Sequence, residues 1–392
     1  MTSLSKSRPG SSGLSGAAVR KSYGLLLLLA YWCAAAVCVD SFMARWGFRE
    51  DAEGMFGFET MLAGEAARPW AYRVLVPDLV TATANVVPAS AKEYLAPYLM
   101  KASGVRARYF KGTPARWTLN FAFAYHIAIG LIFLCLFFHL LLLRTLAPGF
   151  GVRNVALRDL GPICYAVILP LVFLQGAYLY DFPELFILAA CVWAAAVYPP
   201  LLLLALPLAV ANKESAILMP LLILARYWGD DGINIPRRKL WWLGSASIVA
   251  AAVFWTIKIS VSGHRGGSVE FYLFENLKFW SDPRSYVGFS AILAAGVPVP
   301  KLHTALVCVP ATVLWWAGWK SAKRDLRWTL ATALAINLPL VIALADRDEL
   351  RNFSLSFLVL YMLALCGVQH FYESDEGVYR RPETARQDEP QP

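Results

Sequence analysis

From Tyr23 to Phe371 the chain repeats one pattern, an apolar run closed at each end by charge, proline or glycine. Most of these runs approach the roughly 20 residues that a helix needs to cross the hydrocarbon core of a bilayer. They fall at residues 23–39, 117–143, 161–177, 182–198, 201–211, 215–227, 240–262, 303–318, 328–345 and 353–371, and the fifth and sixth are short. Inside lipid a segment must satisfy its own backbone polar groups, so the pattern predicts an all-α fold, a polytopic transmembrane helical bundle of about ten spans. Composition excludes a soluble globule. Of 392 residues, 58% are hydrophobic and 16% are charged, with a mean hydropathy of +0.50, which leaves too little polar surface for a watery skin. Trp117, Trp241, Trp242, Trp315 and Trp316 stand at or near the ends of runs, where amphipathic rings favour the headgroup zone.

Charge placement orients the bundle. The net charge of +9 does not gather on a soluble face that could hold nucleic acid; it falls in short connections between runs. Residues 1–22, rich in Ser and Gly with Lys6, Arg8, Arg20 and Lys21, read as a disordered cytoplasmic N-terminus. The first run, with small residues at Ala34 to Ala36, also fits a cleaved signal peptide, but we read it as an uncleaved anchor. With the N-terminus inside, Arg144, Arg153 and Arg158, then Arg226 with Arg237 to Lys239, then Lys320 to Arg327, and finally the tail at 372–392 are all cytoplasmic. The transmembrane domain then covers 23–371. Its long first extracytoplasmic loop, 40–116, carries an apolar piece at 74–87 that we place along the outer membrane surface. The cysteines, all in or beside apolar runs, predict neither a disulfide framework nor a metal site.

This topology collects acidic and mixed-charge clusters on the outer side. They are Asp40 with Glu50, Asp51 and Glu53; Arg68 to Arg73; Asp181 and Glu184; Lys213 and Glu214; His264 to Glu275; and Asp346 to Arg351. Ionisable groups at span ends are costly to desolvate, so their accumulation on one side points to a site rather than to simple loops. The sharpest signal is Asn212-Lys-Glu-Ser215, which interrupts an otherwise apolar stretch from 201 to 225. A charged turn there must either bind something or pair with itself. There is no phosphate-binding Gly-rich loop, dinucleotide fingerprint or nucleophile elbow, which argues against ATP-driven chemistry within the chain.

The most motif-like stretch is Arg68-Pro-Trp-Ala-Tyr-Arg-Val-Leu-Val-Pro77. Together with the acidic cluster after the first run and the Lys213-Glu214 turn, it resembles bacterial polytopic membrane glycosyltransferases of the GT-C fold class. Many members carry a Tyr-Arg-Val-Leu-x-Pro stretch in the first outer loop, and an Arg-Glu pair where this chain has Lys213 and Glu214. The resemblance implies an enzyme of the bacterial inner membrane that transfers sugar from a polyprenyl-phosphate donor to a lipid, glycan or protein acceptor on the outer face. It implies a catalytic acidic residue in the first outer loop, where Asp51 is the leading candidate ahead of Asp40 and Glu53. The donor phosphate would fall to Arg73, Lys213, Arg347 and Arg351, with His264 in a glycine-flanked turn and Glu214 and Asp348 as further site residues. A protein cofactor is not implied, although a divalent cation is compatible with the chemistry. A transporter or lipid flippase, a glycan polymerase or ligase of another membrane fold, and a non-enzymatic assembly protein remain alternatives.

Both termini are thus expected on the cytoplasmic side, with Asp51, Lys213 and Asp348 on the outer side. A cysteine introduced at position 348 in an otherwise cysteine-free protein should react with an impermeant maleimide in intact cells. Labelling only after the cells are opened would overturn this orientation.

Overall fold

Each apolar run becomes helix. The computed structural model describes residues 16–48, 56–172, 178–267, 269–294, 297–301, 303–347 and 349–379, and contains fifteen α-helices among them. α1 (Gly16–Trp46) is followed by four shorter helices: α2 (Phe58–Leu62), α3 (Leu75–Val86), α4 (Ala89–Leu99) and α5 (Val105–Tyr109). Then come α6 (Leu119–Phe150), α7 (Val155–Val172), α8 (Asp181–Val197), α9 (Leu202–Asn212), α10 (Met219–Asp231) and α11 (Arg237–Ser260). α12 (Leu273–Ser281) and an antiparallel hairpin of β1 (Phe289–Ala294) and β2 (Val297–Pro300) lead to α13 (Ala305–Ser321), α14 (Arg324–Leu344) and α15 (Ser354–Tyr379).

Five of these helices, α1, α6, α11, α14 and α15, are long and apolar enough to cross a membrane, and the chain is a helical bundle of membrane character. Their side chains sort as lipid requires. On α11, Trp241, Ile248, Trp255 and Ile259 repeat at helical spacing and are more than half exposed, whereas Leu243, Ala246 and Ala250 on the opposite face are buried against α9. α6 runs through the centre, packing on α1, α7 and α8 through Tyr125, Ala128, Ile132, Leu136 and Leu140, all fully buried at spacings of three and four. Its start is capped by the Thr118 hydroxyl, which accepts from the Phe121 N–H, and its end by Gly151 in the left-handed region.

α13 and α15 meet at backbone contact. A Cβ on Gly318 would lie 2.0 Å from the Leu363 carbonyl oxygen, and one on Gly367 would lie 2.1 Å from that of Leu314. Small residues that let helices approach this closely supply the packing that apolar surface alone cannot supply in lipid.

At one end of the bundle the basic connections meet. Buried Asp159 accepts from Arg144 Nε at 2.8 Å, Arg158 Nε at 3.0 Å and the Tyr23 hydroxyl at 2.7 Å. Nearby, Lys323 Nζ donates to the Gly149 carbonyl at 2.9 Å, and the Arg153 N–H donates to Gln369 Oε1 at 2.6 Å.

Four expectations change. Residues 16–22 belong to α1 rather than to a disordered N-terminus, and residues 372–379 extend α15 into the expected tail, because each helix keeps its hydrogen bonds beyond the apolar run. Asp40 is on α1, not in the first loop. Its carboxylate is held by Arg108 Nη2 at 2.5 Å and the Tyr109 hydroxyl at 2.6 Å, so the helix continues past it to Trp46. Within the expected outer loop, residues 56–116 are not open chain but carry the short helices α2 to α5, with α3 and α4 laid on α6. The described residues are also not purely helical, since Phe289–Ala294 and Val297–Pro300 pair as antiparallel strands.

Gly318→Ala or Gly367→Ala forces a Cβ into a carbonyl oxygen and is expected to lower unfolding stability in detergent by about 2 kcal/mol or more. Gly244→Ala on α11, where a Cβ meets nothing within 4 Å, is the matched control and should leave stability unchanged or slightly raised. Equal melting midpoints for wild type and Gly318→Ala would contradict the close packing.

Candidate functional site

The Arg68–Pro77 stretch begins by docking to the loop after α11. The Arg68 N–H donates to the Arg265 carbonyl at 2.8 Å, and His264 Nδ1 lies 2.9 Å from the Ala66 carbonyl. Gly266 has φ +88°, and a Cβ there would lie 2.5 Å from the Arg68 carbonyl oxygen, so both the backbone angle and the space demand glycine. The Gly263–Gly267 turn therefore braces residues 66–68, and His264 is a strut of that joint rather than a wall of the cavity described below. From here a buried turn of 3₁₀ helix, Trp70–Tyr72, carries the chain to Arg73.

Arg73 meets the Lys213-Glu214 turn. α9 stops at Asn212, Lys213 is fully extended (φ −157°, ψ 130°), and a 3₁₀ turn over Glu214–Leu218 restarts the chain before α10. The extended residue sends the two charges to different partners. Lys213 Nζ bonds Glu184 Oε2 at 2.8 Å, whereas Glu214 accepts from Arg73 Nε and Nη2, both at 3.3 Å. The turn is not self-paired. Glu184 also accepts from the Ser354 hydroxyl at 2.5 Å.

A third pair completes the network. Arg351 Nη1 lies 3.3 Å from Asp181 Oδ2, and its Nη2 bonds Glu349. The side chains of Lys213, Glu184, Arg351 and Asp181 are each 7% exposed or less, so every one of these charges needs its partner. Aromatic rings link the pairs. The Arg73 guanidinium lies 4.2 Å from the Tyr180 ring centroid and also bonds its hydroxyl, Tyr180 stacks on Tyr178 at 5.3 Å, and Arg351 lies 4.0 Å from the Tyr178 ring. The result is a cation–ring–ring–cation ladder across the wall.

That wall bounds a cavity of about 1330 Å³. Arg73, Lys111, Arg116, Lys213, Lys258 and Arg351 line it, as do the carboxylates of Glu214, Glu270, Asp346 and Glu349. Trp46, Phe48, Phe56, Trp70 and Tyr178 add aromatic faces, and Phe254, Leu340, Val341 and Leu344 an apolar strip. Burial pushes the Glu214 carboxyl up, but Arg73 outweighs it and the group is held below the usual carboxylate range. Burial, with the hydrogen bond to Glu270, pushes the Tyr272 phenol up to about 12, so it remains the donor of that 2.9 Å bond.

Of the residues singled out from sequence, Arg73, Lys213, Glu214 and Arg351 come together here. Asp40 does not, being tied to Arg108 and Tyr109. Arg347 lies off the cavity wall: its N–H donates to Asn276 Oδ1 at 2.7 Å, its φ is +41°, and its side chain is 62% exposed. Asp51, Glu53 and Asp348 lie outside the described residues, although Phe48 and Phe56, which flank the first two in sequence, line the cavity. Among the described residues no group of three or more His, Cys, Asp or Glu side chains could hold a metal ion. The sequence reading missed Lys258, although it is the sole charged residue in the 240–262 run, and it missed the paired rings of Tyr178 and Tyr180 just before Asp181. Comparison of the chain with family models, with curated proteins and with solved structures finds no match.

Removing one member of a buried pair strands the other, at a cost of roughly 3–5 kcal/mol. Glu184→Gln and Lys213→Met should therefore each strongly destabilise the protein in detergent unfolding, and Lys213→Met combined with Glu184→Met should recover much of the loss. Additive losses in the double variant would show that the pair is not coupled.

Proposed function

We propose that the chain is a bacterial inner-membrane glycosyltransferase of the GT-C type that moves a sugar from a polyprenyl-phosphate donor to a lipid, glycan or protein acceptor on the outer face. In this reading α1, α6 to α11 and α13 to α15 are the ten crossings, with α9 and α10 a short pair that turns at Lys213, both termini cytoplasmic and the cavity outside. The observation that carries it is the cavity itself, in which cations, carboxylates, aromatic faces and an apolar strip share one space at one end of the bundle.

The chemistry requires that combination. An acceptor oxygen attacks the anomeric carbon, the bond from that carbon to the donor phosphate oxygen breaks with its electron pair, and the acceptor proton passes to a carboxylate. Arg73, Lys213 and Arg351 supply fixed positive charge toward which the leaving phosphate develops its own charge, in a setting where little reorganisation is needed. The aromatic faces suit a sugar ring and the apolar strip suits a hydrocarbon chain. Asp51 is our choice of base, supported by its place between Phe48 and Phe56 in sequence, with Glu53 second. Asp40 is not retained, because Arg108 and Tyr109 hold it away from the cavity. Asp51→Asn should lower turnover by about a hundredfold or more while donor binding persists. Arg73→Met should weaken both binding and turnover.

A transporter is the second reading, favoured by the interrupted α9–α10 pair with a charged residue at the break. Purified protein given radiolabelled polyprenyl-phosphate sugars and membrane extract separates the two. Transfer of label that Asp51→Asn abolishes supports the enzyme; uptake into sealed vesicles without transfer would replace it with the transporter.

A further inference from the structure

Three of the cavity's cations are already spent on carboxylates: Arg73 on Glu214, Lys213 on Glu184, and Arg351 on Asp181 and Glu349. Arg116 faces Glu59 at 3.5 Å, and Lys111 Nζ is held by the Ala44 and Arg108 carbonyls. Lys258 differs. It rises from the last turns of α11 into the cavity, and among the described residues it has no carboxylate partner and no hydrogen-bond acceptor. Its ammonium rests instead between two rings, 4.8 Å from Tyr72 and 5.1 Å from Phe254.

We infer that Lys258 is a further phosphate-binding residue of the cavity, acting beside Arg73, Lys213 and Arg351, and that its ligand is an amphiphile, a phosphate ester on a hydrocarbon chain. This deepens the glycosyltransferase reading and rests on it. Aromatic faces attract the cation but accept no strong hydrogen bond, so they leave ammonium donors available for phosphate oxygens. Lys213 and Arg351 act on an anion from within buried ion pairs, whereas at Lys258 it meets charge that no described carboxylate pairs. The surroundings specify the rest of the ligand. Phe254 is one helical turn before Lys258, and with Leu340, Val341 and Leu344 of α14 it forms the apolar strip of the same cavity. A free phosphate has no use for that strip; a lipid phosphate does.

The test is calorimetric titration of the full-length protein in detergent with farnesyl phosphate, with inorganic phosphate and with farnesol. Wild type should bind farnesyl phosphate more tightly than either of the others. Lys258→Met, which keeps the stem packed between Tyr72 and Phe254, should lose affinity at least tenfold for farnesyl phosphate and none for farnesol, and Lys258→Arg should retain most of it. Because Lys258 is half-buried and pairs with no described carboxylate, the Met variant should melt with wild type; Lys258→Gln is the second variant and should behave alike. If wild type binds farnesyl phosphate and both neutral variants bind it equally well, the role of Lys258 is overturned while the glycosyltransferase reading stands. If wild type binds inorganic phosphate as tightly as the lipid, the amphiphile is overturned. If wild type binds no phosphate at all, the donor reading and this inference fall together.

Discussion

A charge taken out of water must be met by another charge, and this requirement organises the upper part of the molecule. Lys213 with Glu184, Arg73 with Glu214, and Arg351 with Asp181 join five stretches of chain: the turn after Trp70, the start of α8, the break between α9 and α10, the turn before α15 and, through Ser354, α15 itself. None of these stretches is held at its site by apolar packing alone. The pairs fix where α9 ends, because Lys213 must leave helical geometry to reach Glu184 while its neighbour reaches Arg73. They also fix the wall of the cavity, since the same arginines lie against Tyr180 and Tyr178. Such pairs are poor sources of net stability, yet they are unforgiving of alternatives, which suits a wall that must keep one shape.

How much of this could be read from residues alone follows from range. Hydrophobic runs act over about 20 residues, and all ten of them reappear as helices, α1, α6 to α11 and α13 to α15. The Asn-Lys-Glu-Ser interruption is equally local, and it does break the helix. Partner identity is another matter. Arg73 finds Glu214 from 141 residues away and Arg351 finds Asp181 from 170, and no local pattern encodes such pairings. Lys213 and Glu214, adjacent and opposite in charge, look self-sufficient in sequence, and only the extended backbone at Lys213 separates them.

The misplacement of Asp40 has a related cause. Its acidic side chain resembles the start of a polar loop, but Arg108 and Tyr109, brought over by α5, satisfy it where it stands and the helix runs on. Lys258 was passed over for the opposite reason. One lysine in an apolar run looks like a snorkelling side chain near a helix end, and its significance emerges only when the other cations of the cavity are seen to be engaged.

The ladder of Arg73, Tyr180, Tyr178 and Arg351 carries one more consequence. Its two rings stand two residues apart on a single short piece of backbone, and the arginines at its ends come from stretches far apart in the sequence. The two cations of the wall therefore share one support: replacing either tyrosine takes the ring from one arginine and the stacking partner from the ring that holds the other.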